Sequence, residues 1–141
     1  MNRRYWIGVA SFEHVKLGVE SGFSQVCHGK KAPLKRMKQN DIIFYYSPTL
    51  KFGSKEKYQC FTAMGRFIDD EVYQFEMPKN FFPYRRNVDF YQPLKHASIH
   101  TLIPNLDFID NPSRYGEKFR FGLFEITHHD ALVIWNAMKA S

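Results

Sequence analysis

Short β-prone runs separated by turn signals constrain the fold of this chain more than any other feature of its sequence. The runs are rich in aromatic and β-branched residues, and clusters of Gly, Pro, Asn and Asp lie between them. Helical periodicity is confined to the early part and the end of the chain. This order predicts an α+β domain with one curved sheet of about six strands, packed by a few helices.

The predicted elements follow directly from these patterns. Strands are expected at residues 5–10, 24–27, 42–47, 58–68, 71–77, 84–90 and 119–126. Helices are expected at residues 12–19, around Pro33 and at residues 128–139. Ser11 and Thr127 are the expected N-caps, and Gly22 is expected to end the first helix. Asp69–Asp70 is expected to be a hairpin turn, and the last helix is expected to bury Leu132, Ile134 or Trp135, and Met138.

Length and charge limit the range of functions. The 141 residues fit one domain, 1–141, and no repeat or linker divides them. The net charge of +6 favours a polyanionic partner, because phosphate groups would be attracted to the surface. Aromatic residues make up 17% of the chain, a high share that can serve a core, a stacking surface or both.

The cysteines and the apolar runs predict a cytosolic protein. Cys27 and Cys60 are too few for a disulfide framework, and neither has a CxxC partner that would suggest a metal site. The chain shows no signal-peptide pattern and no apolar run of membrane-spanning length. We therefore expect reduced thiols, no membrane and no cofactor.

The stretch QVCHGKKAPLKRM, residues 25–37, combines four basic residues with inward-looking apolar ones. It is either a solvated turn or a rim that holds an anion. Pro33 begins a short helix whose first N–H groups lack partners, and Lys30 and Lys31 stand just before it. We favour the anion-binding interpretation, although charge runs are usually solvated faces.

These blocks also carry a family resemblance. YWIGVAS, QVCHGKKAPLKRM, YYSP, FTAMGRF and FRFGLFEI, in this order, resemble the EVE-domain family of the PUA-like superfamily, which also contains the YTH domains. The resemblance covers residues 5 to about 138. It implies a small pseudo-barrel flanked by helices. It also implies a pocket for a flipped-out modified base of single-stranded DNA or RNA, with modified cytosine as the leading candidate.

The candidate base pocket follows from the resemblance and from side-chain chemistry. Aromatic residues stack on bases, and amide or hydroxyl groups read base edges. Alternation sends Tyr45 and Tyr46 to opposite faces, and we favour Tyr46 because it lies near a strand end. Ser11 serves equally as a helix cap or a pocket residue, and each aromatic has core packing as its alternative. The candidates are Trp6, Ser11, Phe23, Ser24, Gln25, Cys27, His28, Tyr46, Ser47 and Pro48.

Basic residues outside the pocket are expected to contact phosphates, which gives salt-dependent affinity without sequence information. Alternation sends Arg85 and Arg86 to opposite faces, so we expect only one of the two to contribute. The candidates are Lys30, Lys31, Lys35, Arg36, Arg85, Arg86 and Arg120.

Catalysis by this domain alone is not expected. Asp69–Asp70–Glu71 is splayed by strand alternation, and His128–His129 diverge on a helix. Cys27 and His28 face opposite ways as strand neighbours, so they make no nucleophile–base pair. No nucleotide-binding or zinc-protease motif is present. Two alternatives stay open: a binder of a free nucleotide or modified nucleoside, and an enzyme acting on a modified base.

Overall fold

The computed structural model describes residues 3–92 and 94–139 and contains a single mixed β-sheet with helices on it. The strands are β1 Tyr5–Val9, β2 Phe23–Ser24, β3 Ile42–Thr49, β4 Lys57–Gln74, β5 Tyr84–Phe90, β6 Ala97–Ser98 and β7 Leu123–Ile126. The α-helices are α1 Phe12–Ser21, α2 Lys31–Leu34 and α3 His128–Met138. Single 3₁₀ turns join several of these elements.

The strand order is β2-β5-β4-β3-β1-β7, with β6 paired to β4. Strands β1 and β3 are parallel, and the other pairs are antiparallel. The two ends of this order, β2 and β7, share no ladder in the described chain, so the sheet is open. The segment after β2 and the residue before β7 nevertheless approach each other, because a Cβ at Gly122 would lie 3.0 Å from the sulfur of Cys27. The predicted α+β class and strand number are confirmed.

Strand β4 differs most from the sequence prediction. The expected turn at Asp69–Asp70 is wrong, because β4 continues through both residues. The register between β4 and β5 shifts between Phe67 and Val72, so the acidic residues are accommodated in a bulge. The side chain of Asp69 accepts a hydrogen bond from the N–H of Glu71, 2.9 Å away, which satisfies the backbone locally.

Two further strands are shorter in the structure than the sequence predicts. The strand expected at residues 24–27 ends after Ser24, because Cys27 and His28 take the left-handed conformation, with φ of 49° and 62°. The strand expected at residues 119–126 starts only at Leu123, after a 3₁₀ turn that ends at Gly122. No pattern in the sequence indicates the left-handed conformation of Cys27 and His28, since residues other than glycine seldom adopt it.

The predicted helix ends are mostly confirmed. Gly22 ends α1 in the left-handed conformation, and the hydroxyl of Thr127 accepts the N–H of Asp130 at the start of α3. Ser11 occupies the N-cap position of α1, but its side chain makes no capping bond. In α3, Ile134 and Met138 are buried as expected, whereas Leu132 is 45% exposed and its predicted burial is wrong.

Strand β3 is buried on both faces, and it separates two hydrophobic clusters. Ile43 and Tyr45 pack with Trp6 on the side of α1 and α2. Phe44 and Tyr46 pack on the side of α3. The prediction that Tyr45 and Tyr46 point to opposite faces is confirmed.

The buried carboxylate of Asp41 joins three segments at the entry to β3. It accepts hydrogen bonds from the backbone N–H of Arg4 at 3.0 Å, the indole N–H of Trp6 at 3.0 Å and the backbone N–H of Lys38 at 2.9 Å. Strand β1, the segment after α2 and strand β3 therefore meet at one acceptor.

Replacing this acceptor should destabilise the fold. We expect Asp41→Ala to lower the free energy of unfolding by about 3 kcal/mol, because buried donors would lose their partner. Urea denaturation followed by circular dichroism measures this. The control is Asp110→Ala on the surface, which should stay within about 0.5 kcal/mol of wild type. Equal stability of both variants would refute the role given to Asp41.

Candidate functional site

A cavity of about 700 Å³ opens between α1, the segment after β2 and the loop of residues 50–56 that joins β3 to β4. Apolar side chains form most of its wall, and a few polar groups converge on it. A pocket of this size and composition is typical of small-molecule or base recognition.

The structure brings six of the ten predicted pocket residues to this cavity. They are Ser11, Phe23, Gln25, Cys27, His28 and Pro48. They come from three separate segments, so the sheet and α1 assemble the site. The conformation of Cys27, His28 and Gly29, all with positive φ, turns the segment after β2 along the cavity.

Two aromatic candidates lie in the core instead of the cavity. Trp6 is 2% exposed, and its indole N–H is used by Asp41. Tyr46 is buried on the opposite face of β3 and stacks on Phe119, with ring centroids 3.8 Å apart. In this structure neither ring is free to stack on a base, so the expectation that they form the pocket walls is corrected.

Two hydroxyl candidates are also interior. Ser24 bonds the phenol oxygen of Tyr45 at 2.5 Å, and Ser47 bonds the hydroxyl of Thr62 at 2.8 Å. Both residues are fully buried and lie outside the cavity wall. Their hydrogen bonds support the strands behind the cavity. This corrects the expectation that Ser24 reads a base edge and that Ser47 lies in the pocket.

Tyr45, which the sequence analysis ranked below Tyr46, lines the cavity. Its phenol donates to the backbone carbonyl of Gln25 at 3.2 Å and meets Ser24 as described. Burial raises the pKa of Tyr45 to about 12. The phenol therefore stays neutral and ties the segment after β2 to the centre of the sheet.

Ser11 is the unsatisfied polar group of the site. Its hydroxyl is buried, lines the cavity and has no hydrogen-bond partner among the residues that the structure describes. A buried hydroxyl without a partner is costly, and it is usually explained by a ligand or a bound water. The alternative role as a helix cap is not realised here.

Arg85 provides a fixed cation on the wall. Its guanidinium lies between the rings of Phe23 and Phe75, 3.7 Å and 4.1 Å from their centroids. Its Nε donates to the side-chain oxygen of Gln25 at 3.1 Å, which orients that amide. Its Nη2 contacts the sulfur of Met77 at 3.2 Å. Burial lowers the pKa of Arg85 from its usual value.

Exposed aromatic rings surround the mouth of the cavity. Phe52, in the β3–β4 loop, is 70% exposed. Its ring is parallel to that of His14, at a centroid distance of 5.9 Å, and edge-on to that of His28 at 6.4 Å. His14 and Phe52 were not among the predicted pocket residues, because neither a helix surface nor a polar loop carries a periodic signal that marks a site.

The predicted phosphate residues divide into separate groups. Arg85 and Arg120 line the cavity. Lys30 and Arg36 lie outside its wall, but their positive charges lower the pKa of Cys27, against a larger rise caused by burial. Lys31 and Lys35 face a different groove. Only part of the basic stretch therefore lies near the cavity. Lys30 and Arg36 belong to that part, and Lys31 and Lys35 do not.

Arg86 was expected on the exposed phosphate-binding surface, but the structure buries it between α2 and β4. Its side chain is 1% exposed. Its Nη1 donates to the carbonyls of Leu34 at 3.0 Å and Met37 at 2.5 Å, and its Nη2 donates to the carbonyl of Asp69. The guanidinium thus holds α2 and the β4 bulge together from the inside. The opposite placement of Arg85 and Arg86 matches the predicted alternation.

Of the residues weighed for catalysis, Cys27 and His28 line the cavity, whereas Asp69, Asp70, Glu71, His128 and His129 are not among its lining residues. His128 bonds the phenol of Tyr5 at 3.0 Å. His129, Asp107 and Asp130 bring one ligand atom each within 4.8 Å of one another. The buried carboxylate of Asp130 already accepts the N–H groups of Asp107 and Phe108, at 2.7 Å and 3.1 Å. Asp130 therefore has a structural role, since it ties the start of α3 to the segment of Asp107 and Phe108.

The chain matches the EVE domain family over residues 4–137 and belongs to that family. It is similar to a UPF0310 protein of Streptococcus gordonii, with 47% identity over 136 residues, 96% of this chain and 94% of that protein. The predicted family membership is confirmed.

Solved structures with the same fold include two nucleic-acid complexes. One is the YTH domain of Zygosaccharomyces rouxii MRB1 with N6-methyladenosine RNA, with a TM-score of 0.62, 13% identity, and coverage of 96% of this chain and 86% of that one. The other is human THYN1 with DNA containing 5-methylcytosine, with a TM-score of 0.50, 11% identity, and coverage of 98% and 99%. At these identities the likeness shows the fold, which is PUA-like as predicted.

Among the described residues, no helix is long and apolar enough to span a membrane.

The buried phenol of Tyr45 should make stability depend on pH above neutrality. The unfolded chain loses this proton near pH 10 and the folded chain near pH 12, so this contribution is complete below pH 10 and is lost as pH rises to about 12. We expect the free energy of unfolding of Tyr45→Phe to fall less steeply in this window, by up to about 1.4 kcal/mol per pH unit. Urea denaturation at several pH values measures the slope.

The control is Tyr91→Phe, which changes an exposed ring. It should follow the wild-type slope, whereas identical slopes for wild type and Tyr45→Phe would contradict the assignment.

Proposed function

We propose that this protein is a non-catalytic nucleic-acid-binding module that holds a flipped-out modified base in the 700 Å³ cavity. The observation that carries the proposal is the buried hydroxyl of Ser11, which faces the cavity without a partner in the described chain. A base edge would supply the missing hydrogen bond. The proposal requires a ligand that is apolar on its faces and polar on its edge, which is the character of a nucleobase.

The remaining walls suit such a ligand. Phe23 and the exposed ring of Phe52 offer apolar surface within the site and at its mouth. Stacking contributes about 1–3 kcal/mol per base, which offsets the few kcal/mol that flipping costs. The amide of Gln25, oriented by Arg85, has its NH₂ group available to donate to the base edge.

Cations around the cavity suit the phosphates of the strand. Arg120 lines the cavity, and the charges of Lys30 and Arg36 act on Cys27 at its wall. Phosphate contacts of this kind give affinity without reading sequence, and they make binding sensitive to salt. The strand would thus be held at the mouth while one base enters.

We further propose modified cytosine as the base. Cytosine presents one amino donor and two acceptors on its pairing edge. Ser11 can accept from the amino group, and Gln25 and Arg85 can donate to the acceptors. The complex of human THYN1 with DNA containing 5-methylcytosine supports this choice by likeness of fold. The YTH complex with N6-methyladenosine RNA makes methylated adenine the comparison ligand.

A binding role is supported over thiol catalysis by the state of Cys27, the cysteine that lines the cavity. Burial raises the pKa of Cys27, so its thiol stays protonated near neutral pH. Cys27 has left-handed φ and points its sulfur towards the carbonyl of Phe121, 3.7 Å away. Its surroundings thus hold it as a neutral wall group.

Removing the unsatisfied hydroxyl tests the proposal. We expect Ser11→Ala to bind a single-stranded oligonucleotide with one central 5-methylcytosine about 5- to 10-fold more weakly, the value of one hydrogen bond. Its melting temperature should stay at the wild-type value or rise, because the hydroxyl has no partner in the free protein. Fluorescence anisotropy measures binding against the unmodified strand, the N6-methyladenine strand and the corresponding RNA.

The matched control is Ser21→Ala at the exposed end of α1, which should bind like wild type. Wild-type affinity of Ser11→Ala for every modified strand would refute the assigned pocket. Stabilisation by free modified nucleosides, with no gain from a longer strand, would assign the cavity to a small-molecule ligand instead.

A further inference from the structure

A second, basic groove lies away from the cavity. Its volume is about 550 Å³, and it is formed by α2, the residues that follow α2, the β4 bulge and β5. Its charged residues are Lys31, Lys35, Lys38, Arg86 and Asp70. The groove and the cavity share no lining residue among those described.

Strand β5 separates the two sites. Arg85 and Arg86 are consecutive in β5, so their side chains leave opposite faces of the sheet. Arg85 enters the cavity and Arg86 reaches the groove. The groove is therefore a distinct site with its own cation, and it is not an extension of the cavity rim.

One donor of Arg86, whose side chain lines this groove, has no acceptor in the described part of the chain. Its Nη1 donates to the carbonyls of Leu34, in α2, and Met37, after α2, and its Nη2 donates to the carbonyl of Asp69 in the bulge. Its Nε is buried and has no hydrogen-bond partner within residues 3–92 and 94–139. A buried charged donor without an acceptor is expensive, so it points to an anion that is bound in the working state.

The lysines around Arg86 make the groove strongly positive. Lys31, Lys35 and Lys38 are exposed, and the Nζ of Lys31 lies 5.6 Å from the ring centroid of Tyr84. Asp70 is the one acid that lines the groove, with its carboxylate 3.7 Å from Nη2 of Arg86. Four cations against one carboxylate leave a surplus positive charge with room for a phosphate-sized group.

We infer that this groove binds a phosphate group of the nucleic-acid backbone, as a second holding point on the other side of β5 from the base cavity. Arg86 supplies a fixed charge at the base of the groove, and the lysines supply flexible donors. The inference goes beyond the proposed function. It uses that function only for the source of the phosphate, since the groove itself follows from its own residues.

The first experiment observes the groove without any base. Inorganic pyrophosphate is titrated into the ¹⁵N-labelled protein, and the side-chain Nε–H signals of arginine are followed by NMR. The Arg86 signal should shift, and the Arg85 signal, whose Nε–H is bonded to Gln25 in the cavity, should shift much less. An unmoved Arg86 signal, or equal movement of both, would overturn the site. This outcome is independent of the base pocket.

The second experiment identifies the source of the phosphate. We expect Lys35→Glu combined with Lys38→Glu to weaken binding of modified and unmodified single strands equally, by about 5- to 10-fold, and to make the slope of log K against log salt shallower by about 1. The preference for the modified strand should persist.

The matched control is Lys95→Glu combined with Arg114→Glu, which makes the same change of net charge on exposed residues outside both sites. Affinity and slope equal to this control would overturn the backbone role. If pyrophosphate still moved the Arg86 signal of the wild-type protein, the groove would be a site for free phosphate. A lost preference for modified strands would overturn the separation of the two sites.

Discussion

Burial of β3 on both faces is the constraint on which the rest of the structure depends. All residues from Ile42 to Ser47 are buried, so the strand needs a hydrophobic layer on each side. Helices α1 and α2 cover one face, and α3 covers the other. Asp41 fixes where the strand begins, because it collects donors from β1 and from the segment after α2. Because side chains alternate along β3, this starting point decides that Tyr45 lines the cavity and that Tyr46 faces α3.

The cavity exists where these layers leave space beside α1. Its polar groups are held by the protein itself: Arg85 orients Gln25, and Tyr45 holds the backbone of Gln25. Preorganised groups of this kind lose little freedom on binding, so more of each contact contributes to affinity. Ser11 is the exception, since its hydroxyl is in place but unpaired.

Side chains alternate between the two faces of β5, so the neighbouring residues Arg85 and Arg86 have different roles. Arg85 is held between aromatic rings at the cavity, whereas Arg86 joins α2 to the β4 bulge. The bulge matters here, because it presents the carbonyl of Asp69 inward to Arg86. An acidic segment that the sequence suggested was a hairpin turn is thereby part of the scaffold between two sites.

The sequence by itself determined the fold class, the opposite faces of Tyr45 and Tyr46, the cap at Thr127 and the presence of Ser11, Phe23 and Gln25 near one site. These features can be predicted from local side-chain periodicity and from the short motifs that resemble the EVE-domain family, because both depend on only a few neighbouring residues. Tertiary structure decided which of the two tyrosines meets the cavity, that Trp6 serves Asp41, and that Phe52 stands at the mouth. The reason is physical: periodicity places a side chain on a face, but only packing between distant segments decides whether that face meets core, cavity or solvent.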